Sequence, residues 1–315
     1  MTPDRRQFLI GAAGLALPAG IPRAAPDTAA STGTRLILLG TKGGPALTRH
    51  GRANPGTLLL IQGVPYVVDC GYGTSRQLVS AGVALNAVRH LFITHHHSDH
   101  NLELGAIPYN AWAAGSFGRI DVYGPPGLEG MSRAFSDYMR YDIETRITDE
   151  GRSDFRKLVF LHEAGGPGLV MQNDDVKVTA ALVRHPPVRP AFAYRFDTKD
   201  RSIVLSGDTA YAPELARFAR GADVLVHEAL YVPGLDALLR RVPDAARLRQ
   251  HLLASHSTPE DAGKVAVEAG VSTLVLSHLV PGDDPSITDE QWSEGARRFF
   301  KGRIVVGRDL LEISR

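Results

Sequence analysis

The sequence predicts a single α/β domain of two β-sheets with helices on their outer faces. Three observations predict it. From Thr34 onward, short aliphatic runs bounded by Gly and Pro alternate with stretches of helical pattern. No internal repeat, low-complexity tract or Pro/Ser linker divides the chain. Of the 315 residues, 43% are hydrophobic, enough for a sizeable core.

Residues 35–40 read as the first strand, running into a glycine loop at 41–45. Runs 57–62 and 65–69 read as two more strands, with Gly63-Val64 as their turn. Residues 74–81 read as a helix stopped by Gly82. A strand at 88–93 follows, then a helix over 101–115 interrupted at Pro108, a strand at 120–123 and a helix over 128–146. Core packing is expected for most of the aromatics in that helix and for Trp112. Strand patterns recur at 158–161, 176–183, 191–196, 202–205, 223–226, 273–277 and 303–306, with helices at 213–220 and 288–300. Thr258-Pro259-Glu260-Asp261 starts a further helix, with a capping hydroxyl, proline in the first turn and acids at the positive dipole end.

The chemistry begins where the 88–93 strand spills into Thr94-His95-His96-His97-Ser98-Asp99-His100. His95, His97, Asp99 and His100 leave the strand end together and can face one point. Imidazole nitrogen and carboxylate oxygen are zinc ligands, and a strand end holds them rigidly. Matching residues stand at other strand exits: His185, Asp208, His227 with Glu228, and His278. A single histidine of this kind is usually structural; the joint pattern points to a metal centre. His96 is expected to point away, and His227 to be structural. Cys70 reads as a small buried residue and, as the one cysteine, excludes a disulfide or Cys-rich zinc site. His50 is a further residue within reach of the pocket or exposed, and Arg184 and Arg189 are candidates to bind an anionic group.

Charge is balanced, 35 basic against 34 acidic residues for a net +1, which argues against a dedicated nucleic-acid or polybasic membrane binder but leaves room for a local basic patch. The first thirty residues read as a leader. Arg5-Arg6 with Phe8 and Leu9 precedes a short apolar stretch at 11–19 and resembles a bacterial twin-arginine export signal. That stretch is too short for a permanent membrane anchor. Cleavage after Ala24 or near Ala30 would leave a mature domain over 31–315, placed in the periplasm or outside the cell.

The pattern His-x-His-x-Asp-His, a later His, Ser-Gly-Asp-Thr and a late Ser-His resembles the metallo-β-lactamase superfamily. The resemblance implies an αββα sandwich with two Zn2+ ions at one edge of the sheets. Carried over, His95, His97 and His185 would hold the first ion, Asp99, His100 and His278 the second, and Asp208 would bridge them. His227-Glu228-Ala229 together with Ser255-His256-Ser257-Thr258 is similar to the ribonuclease Z branch, which also holds zinc-dependent arylsulfatases and phosphodiesterases. In that branch the Glu–His pair serves the leaving group, so Glu228 and His256 join Asp99 as candidate catalytic residues.

Two departures shape the functional expectation. Residues 186–207 leave no space for the flexible tRNA-binding arm of true ribonuclease Z enzymes, and Leu230 replaces the Thr of His-Glu-Ala-Thr. The loop Leu39-Gly40-Thr41-Lys42-Gly43-Gly44-Pro45, with Arg52-Ala53-Asn54-Pro55-Gly56, looks closer to arylsulfatase-like members. The expectation is therefore an exported binuclear zinc hydrolase that cleaves sulfate or phosphate esters of small molecules by metal-activated hydroxide. Its partners would be the ester substrate and the twin-arginine export machinery, with no nucleic acid; dimers are common in the family. The alternatives are a lactone or β-lactam hydrolase, and a periplasmic metal-binding protein without turnover.

Overall fold

A computed structural model describes residues 33–48 and 51–315. The leader expected at 1–30, with its twin-arginine motif, and His50 lie outside the described residues.

Two seven-stranded sheets face each other. The first holds β1 (Thr34–Gly40), β2 (Gly56–Ile61), β3 (Val64–Val68), β4 (His90–Phe92), β5 (Ile120–Gly124) and β6 (Val159–Glu163). The second holds β7 (Gly168–Gln172), β8 (Val176–Leu182), β9 (Phe192–Thr198), β10 (Ser202–Leu205), β11 (Val224–Leu230), β12 (Thr273–Val280) and β13 (Arg303–Val306). A last strand, β14 (Leu311–Ile313), returns to the first sheet beside β1. The orders are β14-β1-β2-β3-β4-β5-β6 and β13-β12-β11-β10-β9-β8-β7. In each sheet one half is antiparallel and the other parallel: β3 to β6 in the first, β10 to β13 in the second.

Alternation along the strands builds the layers. In β1, Leu36 and Leu38 enter the core between the sheets, while Ile37 and Leu39 enter the core beneath the outer helices. Both faces are covered, which is why the strands read as nearly continuous apolar runs. Phe92, Phe192, Tyr194 and Phe196 fill the space between the sheets, with Phe92 edge-on to Tyr194 and Phe196. Helices Thr74–Ser80 and Ala106–Ala113 cover the first sheet; Pro213–Phe218, Pro259–Ala269 and Asp289–Arg297 cover the second. This is the expected αββα sandwich.

Local expectations fare unevenly. The Thr258 cap forms a full capping box with Asp261. The β2–β3 turn falls on Gln62-Gly63, both at positive φ, one residue earlier than expected. Pro108 lies in the first turn of Ala106–Ala113, where its missing N–H costs nothing, so it does not interrupt a helix. The expected helix over 128–146 is two, Leu128–Tyr138 and Arg140–Glu150, broken at Met139. Trp112 and Ile143 are buried, but Tyr138 and Tyr141 are 83% and 85% exposed, against the expectation of core packing for most of that set. Strands β7 and β14 and the helices Leu235–Leu239 and Ala245–Ser255 had no counterpart in the sequence reading.

Candidate metal centre and active site

Parallel strands end at a common edge, and loops at their carboxyl ends converge there. β3 delivers Asp69, β4 delivers residues 94–100 and β10 delivers Asp208. Glu228 and His278 lie within β11 and β12, which run on past the points where sequence alone ended them. His278 is skipped in the register: Ser277 pairs with Glu228 and Leu279 with Ala229. It is the extra residue of a β-bulge, with φ of 43°. Asp208 follows a glycine for a steric reason. Gly207 has φ of 58°, and a Cβ there would sit 2.5 Å from the Phe192 carbonyl oxygen.

All seven expected ligands come together. His95, His97, His185 and Asp208 form one group and Asp99, His100 and His278 another, each with ligand atoms within 4.8 Å of one another. Asp208 stands between them: Oδ2 is 3.8 Å from Nε2 of both His95 and His185 and 3.1 Å from His278 Nε2, and Oδ1 is 3.3 Å from His100 Nε2. His97 Nδ1 lies 3.0 Å from Nε2 of both His95 and His185. His100 Nε2, Asp208 Oδ1 and both ring nitrogens of His278 are buried without a hydrogen-bond partner. Orphaned atoms of this kind are costly unless something else satisfies them. Burial, reinforced by neighbouring imidazoles, lowers the pKa of His95 well below its usual range, and burial lowers His97 and, to about 4, His185. These rings are therefore held in the neutral form that binds a metal. On donor type, convergence and missing partners, the residues fit a pair of divalent metal ions.

A second layer of residues aims the first. Asp69 Oδ2 is 2.8 Å from His100 Nδ1, and Asp69 Oδ1 accepts from the Thr94 N–H at 2.8 Å. His185 Nδ1–H donates to the Ser255 carbonyl at 2.9 Å. Asp99 Oδ2 accepts from the Gly44 N–H at 2.8 Å. Lys42, 4% exposed, closes that loop from behind, donating to the carbonyls of Gly43 and Gly44 at 3.1 and 2.9 Å, and buried Asn54 donates to Gly44 O at 2.8 Å. Burial lowers the Lys42 pKa. Gly43 leaves no space for a side chain, since a Cβ would fall 2.4 Å from Val280 and 2.6 Å from His278. The 41–45 loop, expected to mark an arylsulfatase-like member, thus acts as a support for Asp99. Asp69 follows an apolar strand, as several of the expected ligands do, and that signal could have found it; Lys42 stood in a loop already singled out, but nothing in the local pattern marks it as the support of Asp99.

Glu228 and His256 meet beside this cluster. His256 Nδ1 is 2.9 and 3.0 Å from the two Glu228 oxygens and 4.0 Å from Asp208 Oδ2. Glu228 also accepts from the Thr209 N–H at 2.6 Å. Burial works against charge on His256, but the Glu228 carboxylate outweighs it and pushes the imidazole up to about 9. His96 turns away from the cluster and hydrogen bonds to the Pro126 carbonyl at 3.1 Å. His227 is buried in mid-strand, its Nδ1 on the Glu228 carbonyl at 2.8 Å, outside both ligand groups. Cys70 is fully buried, and burial pushes its thiol pKa well up.

Paired sheets closed over such a cluster define a metal-dependent hydrolase acting on ester bonds. Residues 66–279 match the family model described as the beta-lactamase superfamily domain. Ribonuclease Z of Mycobacterium bovis (strain BCG / Pasteur 1173P2) is 33% identical over 283 residues, covering 89% of this chain and 97% of that protein. Ribonuclease Z of Mycobacterium avium (strain 104) is 34% identical over 284 residues, with the same coverage of 89% and 97%. Among solved structures, the metallo-β-lactamase fold protein YhfI of Bacillus subtilis superposes with TM-score 0.63 at 19% identity, over 89% of this chain and 98% of that one. Human tRNase Z, short form, gives TM-score 0.63 at 20% identity, also over 89% and 98%. The chain belongs to the metallo-β-lactamase superfamily, in its ribonuclease Z branch.

These relatives correct two expectations. The hydrolase of small sulfate or phosphate esters does not stand, and neither does the exclusion of nucleic acid, because relatives spanning nearly the whole chain are ribonucleases by name. The exclusion rested on the absent arm between His185 and Asp208 and on balanced charge, and neither bars RNA from the body of the fold: a net +1 is compatible with a local basic surface.

Proposed function

We propose that this chain is a metal-dependent phosphodiesterase that cleaves RNA, with transfer-RNA precursors as the substrate class, and that its metals are two zinc ions. The observation that carries this reading is the buried Glu228–His256 pair set against the Asp208 cluster in a chain one-third identical to ribonuclease Z enzymes along 89% of its length. Cleavage of a phosphodiester bond in RNA releases a poorly stabilised alkoxide, and the departing oxygen needs a proton.

His95, His97 and His185 would hold one ion, Asp99, His100 and His278 the other, and Asp208 both. Bound there, the ions would neutralise phosphate charge and bring the pKa of a bound water down to about 7. The chain's own residues do the rest. Asp99, fixed by the Gly44 N–H, orients the attacking water through its free lone pairs. Glu228 keeps His256 protonated through Nδ1, so the ring delivers its other proton, from Nε2, to the leaving oxygen. Both side chains are buried, which strengthens their interaction.

The test is direct. Zinc-reconstituted protein is incubated with a transfer-RNA precursor transcript and, separately, with bis-p-nitrophenyl phosphate and p-nitrophenyl sulfate. Specific cleavage of the transcript is expected, with no turnover of the sulfate. His256→Ala should lose about 10²–10⁴-fold on the transcript, the usual span for a general acid, and far less on the nitrophenyl ester, whose leaving group needs no proton. An intact transcript, or equal losses on both substrates, would refute the reading.

A further inference from the structure

We propose that the groove between residues 184–191 and helix Ala245–Ser255 is a track for the RNA strand beside the cleaved bond, with Arg189 and Arg247 each holding a backbone phosphate. The inference rests on the reading of the chain as an RNA phosphodiesterase.

The groove encloses about 740 Å³ and is lined by His185, Arg189, Pro190, Tyr211 and Ala254, among others. That volume falls within the roughly 300–1,000 Å³ of sites that seat a small organic ligand, so a nucleotide fits it. His185 belongs both to the groove lining and to the metal cluster, so the groove lies directly beside the cluster.

Arg189 lines the groove; of helix Ala245–Ser255 Ala254 does, and Arg247 stands about two turns away along that helix. Arg189 is exposed on one lip and has no carboxylate partner among the described residues. Its neighbour Arg184 is neutralised by Glu214 at 2.7 Å and is not counted. The other lip is a helix face. Arg247, His251 and Ala254 are spaced i, i+4 and i+7 and share one side of Ala245–Ser255. Ala254 lines the groove, and the His251 ring lies 6.1 Å from those of His185 and His256 and 6.2 Å from that of His97. The face is therefore turned to the metal cluster, and it carries Arg247 outward by two helical turns, about 10 Å. The Arg247 partner, Asp244 at 3.4 Å, makes an exposed ion pair with side chains 88% and 59% accessible. Such a pair holds weakly and yields to a phosphate. Between the lips, half-buried Tyr211 offers a ring for a base.

Topology says why the body must supply this grip. Between His185 and Asp208 the chain has only a turn, β9 and β10, and no projecting arm to hold RNA. With a net charge of +1, attraction for a polyanion has to be local.

The experiment compares zinc-reconstituted wild type, Arg189→Ala, Arg247→Ala and the double variant on a transfer-RNA precursor and on bis-p-nitrophenyl phosphate. Lys199→Ala, at the far end of β9 and paired with Asp175, is the surface control. Each track variant should raise KM for the transcript by about tenfold, the value of one charged hydrogen bond. Each should also flatten the plot of log affinity against log salt by about one unit, and the ratio of RNA to nitrophenyl-ester kcat/KM should fall in step. Transcript cleavage by the double variant with wild-type KM and salt slope would overturn the track while leaving the RNA phosphodiesterase intact. Wild type that neither binds nor cuts the transcript would overturn both.

Discussion

At the scale of single residues, the ligands depend on groups that never touch a metal. Asp69 is the clearest case. One oxygen takes the His100 ring at 2.8 Å while the other takes the Thr94 N–H, so a single carboxylate fixes both a ligand and the strand exit that launches the His-rich loop. Carboxylates behind a metal-binding histidine set its tautomer and raise its basicity, and their loss usually costs 10–100-fold in metal affinity. Asp69→Asn should therefore weaken zinc binding by about 10–100-fold while the far-ultraviolet circular dichroism stays native. Competition titration against a chromogenic chelator checks it; unchanged affinity would reduce Asp69 to a loop anchor.

At the scale of elements, the site was legible because its residues follow apolar runs in the sequence. His95, His185, Asp208 and His278 could be picked out by that rule, and the resemblance sorted them into two groups. What the rule hid was geometry perpendicular to the strand. A bulge at His278 continues β12 past that residue, and β7, β14 and the helix at 235–239 are too short to carry a period, whereas Ala245, Leu248 and Leu252 give the helix at 245–255 a helical spacing that could have marked it. The 41–45 loop was visible, but its purpose was not, because it acts through backbone atoms: Lys42 and Asn54 clasp the carbonyls so that the Gly44 N–H faces Asp99. Lys42→Met keeps the length of the side chain and removes its donors. It should lower affinity for the second of two zinc equivalents by about tenfold, the value of one charged hydrogen bond, with the first equivalent unaffected. Stoichiometric titration with calorimetric detection separates the two steps, and equal weakening of both would mean that the loop supports the whole centre and not Asp99 in particular.

At the scale of the molecule, the cluster makes stability depend on both metal and pH, and the signs can be worked out. Lowered pKa values at His95, His97 and His185, the last to about 4, mean that the folded metal-free protein resists protons which the unfolded chain takes up near 6.5. Their contribution is present above that value and is lost as pH falls from about 6.5 toward about 4. His256 has the opposite sign: raised to about 9, it stabilises below about 6.5 and its contribution fades as pH rises through about 9. Metal-free protein should thus be most stable between these limits, and His256→Gln should reduce the alkaline-side slope, leaving the share of His100, where burial works against charge but Asp208, Asp69 and Asp99 outweigh it. Metal adds a further term, since ions that bind only the folded state contribute RT ln(1 + [L]/Kd), about 2.7 kcal/mol at a hundredfold excess over Kd. For a domain of this size each kcal/mol is worth roughly 2–4 °C, so chelation near neutral pH should lower Tm by about 5–10 °C, reversibly on adding zinc. Below about pH 6 the zinc increment itself should shrink, because protons compete for the same imidazoles. Melting curves from pH 5 to 10, with and without chelator, test all three statements; a zinc increment that stays constant down to pH 5 would mean the histidines are not the ligands.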